Sequence, residues 1–98
     1  MNQVSEKIIN IFKNNKEILA IYTFSNLRNI FGQNIKDEIL NNVKNILENF
    51  KKNMDFDYIT FNMKDYTIIA FKYNQEIIII FGVPNIKEPV IRVSIKSL

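Results

Sequence analysis

The sequence predicts an α/β chain of the α+β sandwich type: a five-stranded antiparallel sheet in the order 2-1-5-4-3, with helices on both faces. Three observations predict it. Ile18–Phe24 and Ile77–Phe81 are apolar at nearly every position, so as strands they are oily on both faces. The three strand-like segments of the C-terminal half are joined by tight turns, which connect antiparallel neighbours. Between the N-terminal and C-terminal strands runs one long apolar stripe at helical spacing.

The first element is a short amphipathic helix over about residues 3–14, where Val4, Ile8, Ile11 and Phe12 recur at helical spacing. Asn14 and Asn15 suit its end, because asparagine tolerates left-handed backbone. "EILAIYTFS" follows. It is rich in β-branched and aromatic residues and too short for a typical helix, so it is a strand buried on both faces. "NLRNIFG" is shorter and more polar. It is the return strand of a hairpin turning at Asn26–Leu27, and its polarity places it at a sheet edge.

The long helix spans residues 35–52, with Ile35, Ile39, Leu40, Val43, Ile46, Leu47 and Phe50 on one stripe. Asn34 is the expected N-cap. Asp37 and Glu38 in the first turn and Lys51 and Lys52 in the last complement the helix dipole. The stripe is wide, since it contains the adjacent pairs Ile39/Leu40 and Ile46/Leu47. It either covers the sheet alone or serves the sheet below and a partner beside it.

In "FDYITFNM", Ile59, Phe61 and Met63 point one way and Tyr58, Thr60 and Asn62 the other. "YTIIAFKYN" follows the Lys64–Asp65 turn, and "EIIIIFG" follows the Asn74–Gln75 turn. The tail is ambiguous. Ile91, Val93 and Ile95 alternate as in a strand, whereas Ile91, Ile95 and Leu98 fit a helix that Pro89 would open. The hairpins pair first with second, third with fourth, and fourth with fifth strand. Setting the two doubly apolar strands side by side in the middle then gives 2-1-5-4-3.

Length suggests one domain over residues 1–98. Cysteine and histidine do not occur, which removes disulfides, thiolate chemistry, the commonest general base and the commonest metal ligand. A cytoplasmic location is expected. No segment approaches the ~20 apolar residues that span a bilayer, and the polar residues of "MNQVSEKIINIFKNN" do not suit a signal peptide. Thirteen basic against ten acidic residues give a net charge of +3, but the lysines are dispersed and Arg28 and Arg92 are the only arginines.

The chemistry is sparse. Gly32 and Gly82 are the only glycines, so no phosphate-binding loop exists and the chain is not itself a GTPase. Asp55, Asp57 and Asp65 fit capping and turn roles better than a metal cluster. Ser5, Ser25, Ser94 and Ser97 have no histidine to activate them. No catalytic residue, cofactor or metal is therefore expected. Phe71–Lys72–Tyr73 and the basic balance motivate a second reading, a small nucleic-acid-binding module. An RNA-recognition module would need two helices alternating with four strands, so nucleic acid is the disfavoured partner.

The helix "VSEKIINIF", the hairpin "ILAIYTFSNLRNIFG", the helix "IKDEILNNVKNILENF" and the ending "EIIIIFGVPNIKEPVIRVSIKSL" together resemble the roadblock family of dynein light chains and its prokaryotic relatives. The resemblance covers nearly the whole chain. Longin and profilin domains are related sandwiches, but longins begin with a strand. One departure is the first hairpin, which in the family turns on Asp-Gly and here on Asn26–Leu27. The resemblance implies that the tail is helical and that the protein is a non-enzymatic homodimeric scaffold binding or regulating a small Ras-like GTPase. It also implies pairing through the long helix and the strand after it, involving Val43, Ile46, Phe50, Ile59, Phe61 and Met63.

Overall fold

A computed structural model describes residues 3–98, with side chains from Ser5 onward. The elements are α1 (Gln3–Phe12), β1 (Ile18–Thr23), β2 (Asn29–Gly32), α2 (Asp37–Asn53), β3 (Tyr58–Asn62), β4 (Thr67–Tyr73), β5 (Glu76–Gly82) and α3 (Glu88–Lys96). The strands form one open antiparallel sheet in the order β2-β1-β5-β4-β3, as the hydrophobic pattern predicts. The ambiguous tail is helix α3, and Pro89 sits in its first turn, where no backbone N–H is needed.

Alternation along β5 explains the run of isoleucines. Ile77, Ile79 and Phe81 pack under α2 with Leu40, Val43 and Leu47. Ile78 and Ile80 pack on the opposite face with Ile8 and Phe12 of α1 and Ile91 of α3. β4 behaves in the same way: Ile68 and Ala70 face α2, and Ile69 and Phe71 face α1 and α3. Each isoleucine so buried contributes about 1.5–3 kcal/mol relative to exposure, which makes the sheet centre the main source of stability.

Two local expectations, the end of α1 and the cap of α2, are corrected, and β1 carries a bulge. β1 does not alternate strictly, because its pairing with β5 shifts between Ile18 and Ala20. Leu19 is the extra residue, so Ile18 lies with Ile21 on the α1/α3 face while Ala20 lies on the α2 face. Helix α1 ends at Phe12, and left-handed backbone occurs at Leu27, Asn74, Gln75, Asn85 and Gly32, not at Asn14 or Asn15. The Asn15 side chain instead accepts a bond from the Glu17 N–H (2.9 Å) as the chain turns directly into β1. Val4, expected on the α1 stripe, lies outside the described side chains.

Asn34 is not the cap of α2. The Ile35 N–H donates to the Tyr22 hydroxyl (2.9 Å) and the Ile35 side chain is buried, which holds the chain against the sheet at this point. The helix therefore starts at Asp37 behind Lys36, with no side-chain cap, and Asn34 Oδ1 accepts from Asn29 Nδ2 instead. The acidic first turn and basic last turn stand as expected.

The turns show how the hairpins are set. Asn74 and Gln75 have φ of 50° and 67°, the pair of left-handed residues that matches strand twist in a two-residue hairpin. Leu27 has φ of 50° and packs its side chain on the core beneath α2, so packing offsets the backbone cost. The β1–β2 register then skips Ile30, pairing Ile21 with Phe31 and Tyr22 with Asn29. Gly32 has φ of 87°, and a side chain there would run into the Leu19 carbonyl at the bulge.

Candidate functional site

Several of the side chains that chemistry could use have partners. Ser25 donates to Glu76, Ser94 to the Val90 carbonyl and Ser97 to the Ser94 carbonyl. Asp55 pairs with Lys72, whose hydrogen bond and charge hold its carboxyl below the usual carboxylate range. Among the described residues no three acidic side chains gather in a group that could hold a metal ion. Phe71 is core, Tyr73 packs against the same cluster and keeps part of its surface accessible, and Lys72 is engaged with Asp55. Among the described residues no helix is long and apolar enough to cross a membrane.

What the fold leaves open is an edge. The Lys72 N–H donates to the Asp57 carbonyl and the Met63 N–H to the Tyr66 carbonyl. Antiparallel pairing alternates, so Asp57, Ile59, Phe61 and Met63 direct their backbone groups to β4. The N–H and C=O groups of Tyr58, Thr60 and Asn62 therefore point outward along the free edge. β3 carries no charge and no proline, the usual protections of an exposed edge. The opposite edge is blunted: β2 has four residues, and Asn29 folds its side chain onto the Gly32 and Gln33 carbonyls.

The expected interface residues fall into two groups. Val43 is wholly buried against the sheet and belongs to the core, because it lies on the same ridge as Leu40 and Leu47. Ile46, Phe50, Ile59, Phe61 and Met63 are half-buried and keep accessible surface. Phe50, Ile59, Phe61 and Met63 pack against the cluster under α2, so each shares its surface between core and solvent. Ile46 and Phe50 line a shallow groove of about 350 Å³ with Asn49, Asn53 and Met54. Met54 is 60% exposed, a large apolar residue left in water beside that groove. Sequence reading ended the helix at residue 52 and missed it, although Ile46, Phe50 and Met54 recur every fourth residue.

Helix α3 is clamped to the start of β3. The Tyr58 hydroxyl donates to Glu88, Arg92 Nε donates to the same carboxylate at 2.9 Å, and the Arg92 guanidinium lies 4.7 Å from the Tyr58 ring centre. Burial, and then the bond to Glu88, push the Tyr58 phenol up to about 12, with Arg92 opposing. The Glu88–Arg92 spacing makes a helical pair only once the tail is helical, and Tyr58 is not legible in sequence, because nothing local ties β3 to the tail.

No family model matches the chain, and no curated protein matches it.

Proposed function

We propose that the chain is a non-enzymatic interaction domain of the cytoplasm that works as a homodimer and docks a small Ras-like GTPase, as its resemblance to roadblock proteins implies. The observation that carries the dimer is the free β3 edge beside the apolar flank of α2. Two copies related by a two-fold axis would pair β3 with β3, joining two five-stranded sheets into one. Each backbone bond moved from water to a partner contributes about 0.5–1.5 kcal/mol. Burying Ile46, Phe50 and Met54 adds the apolar term that edge pairing alone lacks. The sheet order supports the resemblance from which the GTPase partner follows. Any effect on GTP hydrolysis would come from positioning the GTPase's own switch segments.

Light scattering over a dilution series tests this, with Phe50→Asp alongside. The parent is expected at twice the protomer mass and the variant as a folded monomer. A parent that stays monomeric at every concentration removes the dimer. Binding to GTP- or GDP-loaded small GTPases of the source genome tests the partner, and a dimer that captures none of them removes that part alone.

A further inference from the structure

Helix α2 has two chemically different flanks. At 3.6 residues per turn, Ile46, Phe50 and Asn53 lie on one side of the buried ridge Leu40–Val43–Leu47, and Lys44 and Lys51 lie on the other. Lys44 Nζ and Lys51 Nζ stand 6.0 and 5.7 Å from the ring centre of the same residue, Phe24 at the end of β1. Phe24 is 8% exposed, so the ring is a floor and not a protruding anchor. Lys51 and Lys52 line a shallow depression of about 440 Å³ with Phe24 and Glu48. The ion pairs among the described residues are Lys72–Asp55 and Arg92–Glu88, so these three lysines have no carboxylate within salt-bridge distance.

We propose that this basic flank of α2 is a docking surface for an acidic polypeptide segment. Charge complementarity selects an acidic partner: three lysines stand against Glu48, and Asp55, whose charge Lys51 also feels, is already paired with Lys72. The ring beneath holds two of the ammonium groups in place, which lowers the ordering cost of binding. Lys44 and Lys51 are seven residues apart, about 10 Å along the axis, which a polyproline II segment matches with carboxylates three residues apart on one face, about 9 Å. Glu48 argues for polypeptide over nucleic acid. It repels a continuous run of phosphates but accepts a backbone N–H, which a peptide supplies and a nucleic-acid backbone does not. The flank also carries no arginine, the residue suited to bidentate phosphate contacts. The surface is independent of the dimer, because it lies across α2 from Ile46 and Phe50.

The test is fluorescence anisotropy at low salt with a fluorescein-labelled glutamate–leucine peptide and the full chain. Binding is expected to weaken as salt rises and to fall at least ~10-fold in Lys44→Glu/Lys51→Glu, while Lys44→Arg/Lys51→Arg retains it. Circular dichroism confirms the fold of each variant, and light scattering shows whether the dimer is unchanged. No binding at low salt overturns the proposal. So does an equal loss in the control Lys7→Glu/Lys13→Glu, on α1 and just past its end, which would mark attraction to net charge alone. Tighter binding of oligo-thymidylate through the same lysines also overturns it, in favour of nucleic acid.

Discussion

The Tyr58 hydroxyl donates to Glu88, which also accepts from Arg92, so one phenol ties α3 to the edge strand. Its ionisation is pushed up to about 12 from an ordinary value of 10, which means that the fold favours the neutral form. The unfolded chain would lose this proton first, so the contribution to stability is complete below pH 10 and is lost as pH rises from 10 to 12. Thermal midpoints of the parent are therefore expected to fall more steeply over that window than those of Tyr58→Phe, which has no proton to lose. Parallel slopes in the two proteins would show that the clamp is not coupled to folding. At this scale the sequence was only partly legible. Glu88 and Arg92 are four residues apart, a pair only once the tail is helical, and the third member arrives from a distant strand. Asn34 failed as a cap for a similar reason, since the Tyr22 hydroxyl from β1 takes the Ile35 N–H and delays the helix.

Strands and helices were more legible than their details. Ile77–Ile80 must be interior because both phases of its alternation are apolar, and the pairing follows from the short turns on either side. The bulge at Leu19 was not legible, because an apolar run looks the same with or without an extra residue. The register of β3 separates its two sets of backbone groups. Its outward groups belong to Tyr58, Thr60 and Asn62, so Thr60→Pro removes a donor from the free edge and leaves the bonds to β4 in place. The expected outcome is a folded monomer by light scattering and circular dichroism. Phe61→Pro, whose N–H faces β4, is expected to lower the melting temperature much further. If Thr60→Pro still dimerises, β3 is not the pairing edge, and the apolar flank of α2 would have to hold the dimer alone.

The whole molecule carries a complete core on each face of one sheet, with α2 over one and α1 and α3 over the other. Its Cα radius of gyration is 12.3 Å, against about 13 Å for a compact chain of 100 residues. Both faces of the sheet are thus covered within one chain, and this is why the proposed interface variants are expected to remain folded. Net charge of +3 said nothing of this scale, because it hides the segregation of α2 into an apolar and a basic flank. The proposed dimerisation would add to stability by mass action: each tenfold rise in concentration would contribute about 1.4 kcal/mol per dimer. Spread over two protomers of this size, that raises the melting temperature by roughly 3–5 °C for each tenfold rise. The parent is expected to show this rise above its dissociation constant, whereas Phe50→Asp melts at one temperature throughout. A parent midpoint that ignores concentration, in protein already at dimer mass, would mean that the protomers part before they unfold. The dimer would then be an association of finished folds and no part of their stability.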